Sequence, residues 1–372
     1  MTKLGVGIIG CGNISTSYCR LAPLFASLDL RAVSDIDMHL ARARAADHGL
    51  RAETVEDLLR APDIDVIVNL TVPKAHFAVT RRILEAGKHA YSEKPLALTL
   101  AEGDTLRELA AGRGLSVGAA PDTFLGGAHQ QARTAIDAGE IGRVIGGTAH
   151  MMSRGMEDWH PNPDSYYQAG GGPILDVGPY YITNLVQLIG PVRSVAGLAS
   201  TTFPTRTITN GARDGEKIKV DTATNIHALL EFAGGATVTL TTSWDVRAHR
   251  HSSTELYGED GSLVLPDPNY FGGDVEIATA DGPFETLPPW DHPFGLPNEP
   301  GRANYRCAGL ADMVSAIAEG RDHRCNIDLA LHVVDVMTGI LKAAQERRFI
   351  DLATTCDRPA VLLPAEAQAL LA

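Results

Sequence analysis

A lysine, an aspartate and a tyrosine are the side chains in this sequence best suited to exchange a proton with an alcohol. Lys94 lies in YSEKPLAL, residues 91–98, where Glu93 and Lys94 close a short β-rich run and Pro95 forces an extended turn. Asp176 and Tyr180 stand four residues apart in GGGPILDVGPYYI, residues 170–182, behind three glycines and at the start of a helical pattern. That spacing puts them on one face of a first helical turn, with Tyr181 turned away into the core. Free phenols and amines titrate near ~10. Base catalysis near neutral pH therefore needs a cation beside the phenol, or burial of the amine. Tyr180 as the proton-exchanging group, with Lys94 holding the substrate hydroxyl and tuning the phenol, satisfies this. Lys94 as the base is the alternative. Asp176 then accepts a second hydroxyl and orients the substrate, or caps the helix PYYITNLVQLIG; the two roles are compatible.

Proton exchange on a secondary alcohol needs a hydride acceptor, and the chain start offers a place for one. The run LGVGII leads into GCGNIS, residues 10–15. Gly10 suits the tight turn, Gly12 lets the backbone approach a diphosphate at the helix start, and the small Ser15 preserves close helix–strand packing. Asn13 and Ile14 open that helix and complete the candidate cradle. Asp35 ends the next β-rich run, LDLRAVSD, at the distance where a carboxylate accepts from a ribose 2′-hydroxyl and repels a 2′-phosphate. This favours NAD without excluding NADP; the competing role for Asp35 is to cap the following helix. Arg42 and Arg44 fall inside that helix and are expected to face solvent. Further on, VNLTVPKAH carries Thr71, Pro73 and His76 past the end of an apolar strand, where α/β sheets bind ligands. His76 could also serve locally at its helix start. Glu93 and Lys94 complete the candidate cofactor residues. Trp159 and His160, in the irregular stretch GMEDWHPNPDSYY, could offer an aromatic face and an imidazole to a sugar, or could be a loop packed on a sheet. Asn304, Tyr305 and Arg306 are weaker candidates. His249 and His251 with Asp245 lack metal-ligand spacing, so no metal is expected.

These residues need a scaffold. Over the first 121 residues, strand-like and helix-like runs alternate, with Gly49 and Gly87 as helix stops. Such alternation predicts a doubly wound parallel sheet of the Rossmann type. Beyond Pro121 the pattern changes to successive long strand candidates, including 143–153, 192–203, 222–233 and 237–246. This predicts an α+β domain over 122–372 with an open-faced, mainly antiparallel sheet. Residues 283–301 read as a long irregular Pro- and Gly-rich loop of functional character, followed by helices near 307–319 and 328–347. The last helices could pack back on the first domain.

The bulk numbers bound the reading. A chain of 372 residues with formal net charge −13 suits two domains and gives no electrostatic footprint for nucleic acid or anionic membrane. Five scattered cysteines without a CxxC suggest neither a disulfide framework nor zinc. No apolar run has the length of a membrane span. A cytoplasmic location is the expectation.

Taken together, GCGNIS with Asp35, TVPKAH, EAGKHAYSEKP and GGGPILDVGPYY resemble the Gfo/Idh/MocA oxidoreductases in order and spacing over most of the chain. The resemblance implies a Rossmann domain followed by an open-faced sheet carrying substrate and subunit contacts. It also implies NAD(P)-linked oxidation or reduction of sugars, cyclitols and related polyols, with Lys94 at the catalytic lysine and Asp176 at the aspartate of the second motif. Many members carry histidine where Tyr180 stands. Tyrosine occurs in members resembling glucose–fructose oxidoreductase and dimeric dihydrodiol dehydrogenase. The asparagine–arginine often found after the last Rossmann strand is replaced by AAPDTF, which separates Asp122 and Thr123 from the family's substrate contacts. An exposed sheet face needs cover, so a homodimer or homotetramer is expected. Two other functions remain open: a hydrolase or lyase using tightly bound NAD for transient oxidation of a glycoside, and a non-catalytic dinucleotide sensor, which would not need Lys94, Asp176 and Tyr180.

Overall fold

The computed structural model describes residues 3–280 and 282–372. Two compact units emerge: Met1–Gln130 with Trp290–Val334 and Pro359–Ala372, and Gln131–Pro289 with Asp335–Arg358.

In the first unit, strands and helices alternate as their apolar runs dictate. They are β1 (Leu4–Ile9), α1 (Asn13–Leu21), β2 (Leu28–Ser34), α2 (Met38–His48), β3 (Arg51–Glu53), α3 (Val55–Arg60), β4 (Val66–Asn69), α4 (Pro73–Glu85), β5 (His89–Ser92), α5 (Leu100–Arg113) and β6 (Val117–Ala119). Six strands form one sheet in the order β3-β2-β1-β4-β5-β6, with every pairing parallel. The central strand β4 is buried along its whole length, as a strand covered by helices on both faces must be. The order reverses between β1 and β4, so the carboxyl ends of β1, β4 and β5 flank the point where such sheets take ligands.

In the second unit, α6 (Gly127–Asp137) leads from the first and β7 (Val144–Met152) begins the sheet. Two short helices, α7 (Asp164–Tyr167) and α8 (Pro173–Asp176), precede the longer α9 (Gly178–Ile189). The remaining strands are β8 (Val192–Ser200), β9 (Thr205–Thr207), β10 (Lys217–Lys219), β11 (Asn225–Phe232), β12 (Thr237–Ser243), β13 (Thr254–Gly258), β14 (Gly261–Leu265), β15 (Glu276–Thr279) and β16 (Glu285–Thr286). Of the remaining elements, α10 (Ala308–Glu319) and α12 (Pro364–Leu370) belong to the first unit, α11 (Ile327–Glu346) has residues in both, and the strand β17 (Ile350–Asp351) belongs to the second.

Nine strands build the second sheet, in the order β16-β15-β14-β13-β7-β12-β11-β8-β17. It is antiparallel except where β12 runs parallel to β7, so the expectation of a mainly antiparallel sheet holds with one exception. Its register separates two faces. Leu198, His227, Thr241 and His150 lie side by side on one. Val195, Leu230, Val238 and Leu256 point to the other and are buried. The first face leaves Leu198 and Leu229 in water. The stretch 283–301 is irregular, as its prolines require, apart from β16 and a single 3₁₀ turn at Pro293–Gly295. Among the described residues, no helix is long and apolar enough to cross a membrane.

Candidate active site

The glycine turn follows β1. Gly10 has φ +106°, and a side chain there would drive a Cβ to 2.6 Å from the Leu70 carbonyl, so only glycine fits. Gly12 is different: a Cβ would meet no protein atom within 4 Å. The space over Gly12 is open where a diphosphate would approach. Gly12 is the N-cap of α1 and makes no side-chain cap, so the first N–H groups of the helix, at Asn13 and Ile14, are available to an anion. Ser15 is fully buried and its Oγ donates to the Gly12 carbonyl at 2.6 Å.

Asp35 is bound to this turn. One carboxylate oxygen accepts from the Cys11 N–H at 2.7 Å and the other from the Asp37 N–H at 2.9 Å. It does not cap α2; Asp37 does, accepting from the His39 N–H. Arg44 also departs from expectation. It turns inward, with Nη2 3.4 Å from the Gly12 carbonyl oxygen. The Cys11 thiol is pushed up to about 12, first by burial and then by the Asp35 carboxylate.

At the end of β4, Asn69 organises the next segment. It is fully buried. Its amide nitrogen donates to the His76 carbonyl and Thr80 Oγ1, both at 3.0 Å, and its oxygen accepts from Thr71 Oγ1 at 2.6 Å. Pro73 starts α4, where its missing N–H is harmless. His76 is buried, with Nδ1 2.6 Å from the Pro95 carbonyl oxygen and Nε2 2.9 Å from that of Thr71. Both ring nitrogens are therefore engaged within the protein. Through these two contacts His76 fastens the Thr71 segment to the Pro95 segment.

That second segment follows β5. The Glu93 N–H donates to the Asn69 carbonyl at 2.9 Å, and the Glu93 carboxylate accepts from Tyr18 Oη at 3.1 Å and from the Lys94 N–H at 3.0 Å. Lys94 is half-buried and joined to Pro95 by a cis peptide. Tyr18 is no proton exchanger: burial, then the neighbouring Glu93 charge, pushes its phenol well above the usual value. Asp122 carries no local sequence signal for a role in the site. It lies beyond β6, almost fully buried, and accepts from the N–H groups of Cys307 and Gly309 at 3.0 and 3.1 Å. It thereby closes the start of α10. Desolvation raises its pKa to about 6, against the lowering effect of the Gly309 N–H and the Arg306 guanidinium. Asn304 and Tyr305 are occupied locally, Asn304 with Glu299 at 2.8 Å and Tyr305 with the Leu296 carbonyl at 3.1 Å.

In the second unit, the triple glycine is a close-packed corner. A Cβ on Gly171 would lie 2.5 Å from the Tyr166 carbonyl oxygen, and Gly172 has φ +96°. Asp176 is the last residue of α8, and Tyr180 lies in the first turn of α9; both are half-buried. The N-cap position of α9 is Val177, one residue after Asp176. Tyr181 is buried as expected, with its hydroxyl 3.3 Å from Asp267. Trp159 is 61% exposed. Its ring meets that of His160 edge to face at 5.4 Å, His160 meets Tyr166 at 5.0 Å, and Tyr166 meets the fully buried Trp244 at 6.0 Å. The hairpin of β9 and β10, absent from the sequence expectations, holds this loop. Asn210 Nδ2 donates to the carbonyls of Glu157 and His160 at 2.8 and 3.3 Å. Buried Arg206 pairs with both Glu157 and Asp245. Among the described residues, no group of three or more His, Cys, Asp or Glu is arranged to hold a metal ion.

Comparison with known proteins accounts for both units. Residues 4–120 match the model described as oxidoreductase family, NAD-binding Rossmann fold, and residues 129–264 match the GFO/IDH/MocA C-terminal domain. Levoglucosan dehydrogenase of Pseudarthrobacter phenanthrenivorans is 25% identical over 392 aligned positions, covering 95% of this chain and 99% of that protein. The dTDP-3,4-didehydro-2,6-dideoxy-alpha-D-glucose 3-reductase of Streptomyces violaceoruber is 30% identical, covering 70% of this chain and 72% of that protein. A solved structure of levoglucosan dehydrogenase in complex with NADH and L-sorbose shares the fold, with a TM-score of 0.81 at 24% identity over 95% of this chain and 100% of that one. Both matches fall on the units described above, and the chain belongs to the Gfo/Idh/MocA family of NAD-binding oxidoreductases.

Proposed function

We propose that this oxidoreductase moves a hydride between NAD and a secondary alcohol, or the matching ketone, of a sugar, cyclitol or related polyol. The observation that carries the cofactor assignment is the turn at Gly10–Ser15. It leaves open space over Gly12 and holds the Asp35 carboxylate by two backbone N–H groups. Bound NAD supplies the hydride chemistry. The carbohydrate assignment draws on relatives named for levoglucosan, inositol and D-xylose.

The protein's own part is to bind, orient and exchange a proton. Gly10, Gly12, Asn13 and Ile14 cradle the diphosphate, and Asp35 accepts from the ribose. Thr71, Pro73 and Glu93 shape the cofactor's flank, with His76 fixing their backbone. Lys94 donates to the reacting oxygen, Tyr180 exchanges its proton, and Asp176 accepts a second substrate hydroxyl. Trp159 and His160 give the sugar an apolar face and a hydrogen-bond partner. The enzyme works in the cytoplasm, in keeping with five cysteines that are all free. It works as a homo-oligomer, in keeping with a sheet face that exposes Leu198 and Leu229.

The test is a panel of sugars, cyclitols and keto-sugars with NAD and NADP, read by the absorbance of reduced nicotinamide. Tyr180→Phe should lower turnover about a hundredfold or more while leaving NAD affinity near wild type. Lys94→Ala should lower turnover at least as far. Wild-type turnover in Tyr180→Phe would remove that residue from its role, and silence across the whole panel would refute the substrate class.

A further inference from the structure

Arg44 is an under-compensated cation beside the glycine turn. Its neighbour Arg42 lies in water, as a helix-borne arginine usually does, but the Arg44 side chain is only 17% exposed. Its protein partners are poor. Nη2 reaches the Gly12 carbonyl at 3.4 Å, Nη1 approaches Asp47 only at 4.0 Å, and Nε is closed off from solvent with no acceptor. A guanidinium carries five donors, and one held mostly out of water normally has a close carboxylate. Nor does the Gly12 carbonyl depend on Arg44. The same oxygen accepts from Ser15 Oγ at 2.6 Å and from the Ser15 N–H at 3.3 Å, which already uses its two lone pairs. The contact can therefore be given up without leaving an unsatisfied acceptor.

What lies beside it is a site built for an anion. Gly12 is open above, and the start of α1 presents N–H groups there. Asp35 and Arg44 act on the Cys11 thiol in opposite senses, the carboxylate raising its pKa and the guanidinium lowering it. Both charges are thus felt at the turn. We propose that Arg44 is a further cofactor-binding residue, whose guanidinium leaves the Gly12 carbonyl and pairs with a phosphate of the bound dinucleotide. The planar fork of arginine matches two phosphate oxygens at once. The diphosphate, present in NAD and NADP, and the 2′-phosphate, present only in NADP, share this chemistry. In the second case Arg44 would offset the repulsion that Asp35 exerts. The inference rests on the reading of residues 10–15 as the dinucleotide turn.

The test is calorimetric titration of the whole protein with NADH, NADPH and adenosine. Arg44→Gln keeps length and some donors without charge, and Arg44→Lys keeps charge without the fork. Arg44→Gln should weaken at least one dinucleotide about tenfold or more, leave adenosine binding unchanged and reduce the salt dependence of the affected dinucleotide. Arg44→Lys should fall between Arg44→Gln and wild type. Equal losses for NADH and NADPH assign the diphosphate; a loss for NADPH alone assigns the 2′-phosphate. Dinucleotide binding by Arg44→Gln within about twofold of wild type overturns the role of Arg44 and leaves the turn intact. Failure of wild type to bind either dinucleotide overturns the reading of the turn itself.

Discussion

Acidification should loosen the Pro-rich loop at 283–301 through one buried histidine, and the structure gives both the sign and the size. His292 is fully buried. Its Nε2 donates to the Leu362 carbonyl at 3.1 Å, and its Nδ1 accepts from the Phe294 N–H at 3.2 Å. Both partners are satisfied by a neutral ring protonated on Nε2. A second proton would sit on Nδ1, facing another N–H. Burial lowers the pKa from 6.5 to about 4, against the raising effect of the Leu362 carbonyl. A pKa lowered by folding stabilises the protein fully above the unfolded value, and the contribution is lost as pH falls from 6.5 towards about 4. The span corresponds to about 3 kcal/mol. His292→Asn keeps an acceptor for Phe294 but loses the bond to Leu362, so it should destabilise the protein by about 1–3 kcal/mol at neutral pH. That deficit should shrink as pH falls through the window, because the variant has no ring to protonate. Urea unfolding at a series of pH values measures the gap, and Trp290, whose ring lies 5.1 Å from His292, reports locally. A gap that stays constant between neutral pH and about pH 4 would refute the reasoning. So would an NMR titration of His292 centred near the free value.

Three further substitutions separate steric from electrostatic roles. Gly12→Ala meets no protein atom, so its thermal midpoint should stay near wild type while NAD affinity drops about tenfold or more. Gly10→Ala should lower the midpoint itself, because its Cβ would collide with the Leu70 carbonyl; calorimetry with and without NAD distinguishes the two. Asp122→Asn should show the opposite pH dependence to His292→Asn. The carboxyl pKa is raised by folding from 3.8 to about 6, so wild-type stability falls as pH rises across that range, and the variant should gain on it by about 3 kcal/mol. A parallel pH profile for the two proteins would exclude the raised value.

Most of the first unit was legible because its signals are local. A strand buried on both faces must be continuously apolar, and VIVN is; a left-handed helix cap favours glycine, and Gly49 and Gly114 supply it. The polar residues that shape the site were harder to place, because their partners are remote. Asp122 bonds to N–H groups 185 and 187 positions away, which no window of sequence contains. The strands β9 and β10 have three residues each, too few to show alternation. Yet the β9–β10 hairpin fixes the carbonyl of His160 and so the loop that carries Trp159.

Arg44 is a different case, because its signal was present. Ala41 and Ala45 are the buried residues of α2, and position 44 follows Ala41 by three, on the edge of the same stripe. An arginine flanking a stripe of alanines has room to lie along the helix instead of extending into water, because alanine leaves space for its aliphatic stem. Composition made the residue look like a solvated charge. Helical spacing, read together with the small size of its stripe neighbours, turns it towards the glycine turn. The same reading applies to His76, whose place three residues into α4 set it on the buried side, where both nitrogens met backbone carbonyls. In both residues, side-chain chemistry suggested a ligand contact or a solvent contact, and it was helical phase that decided which atoms they reach.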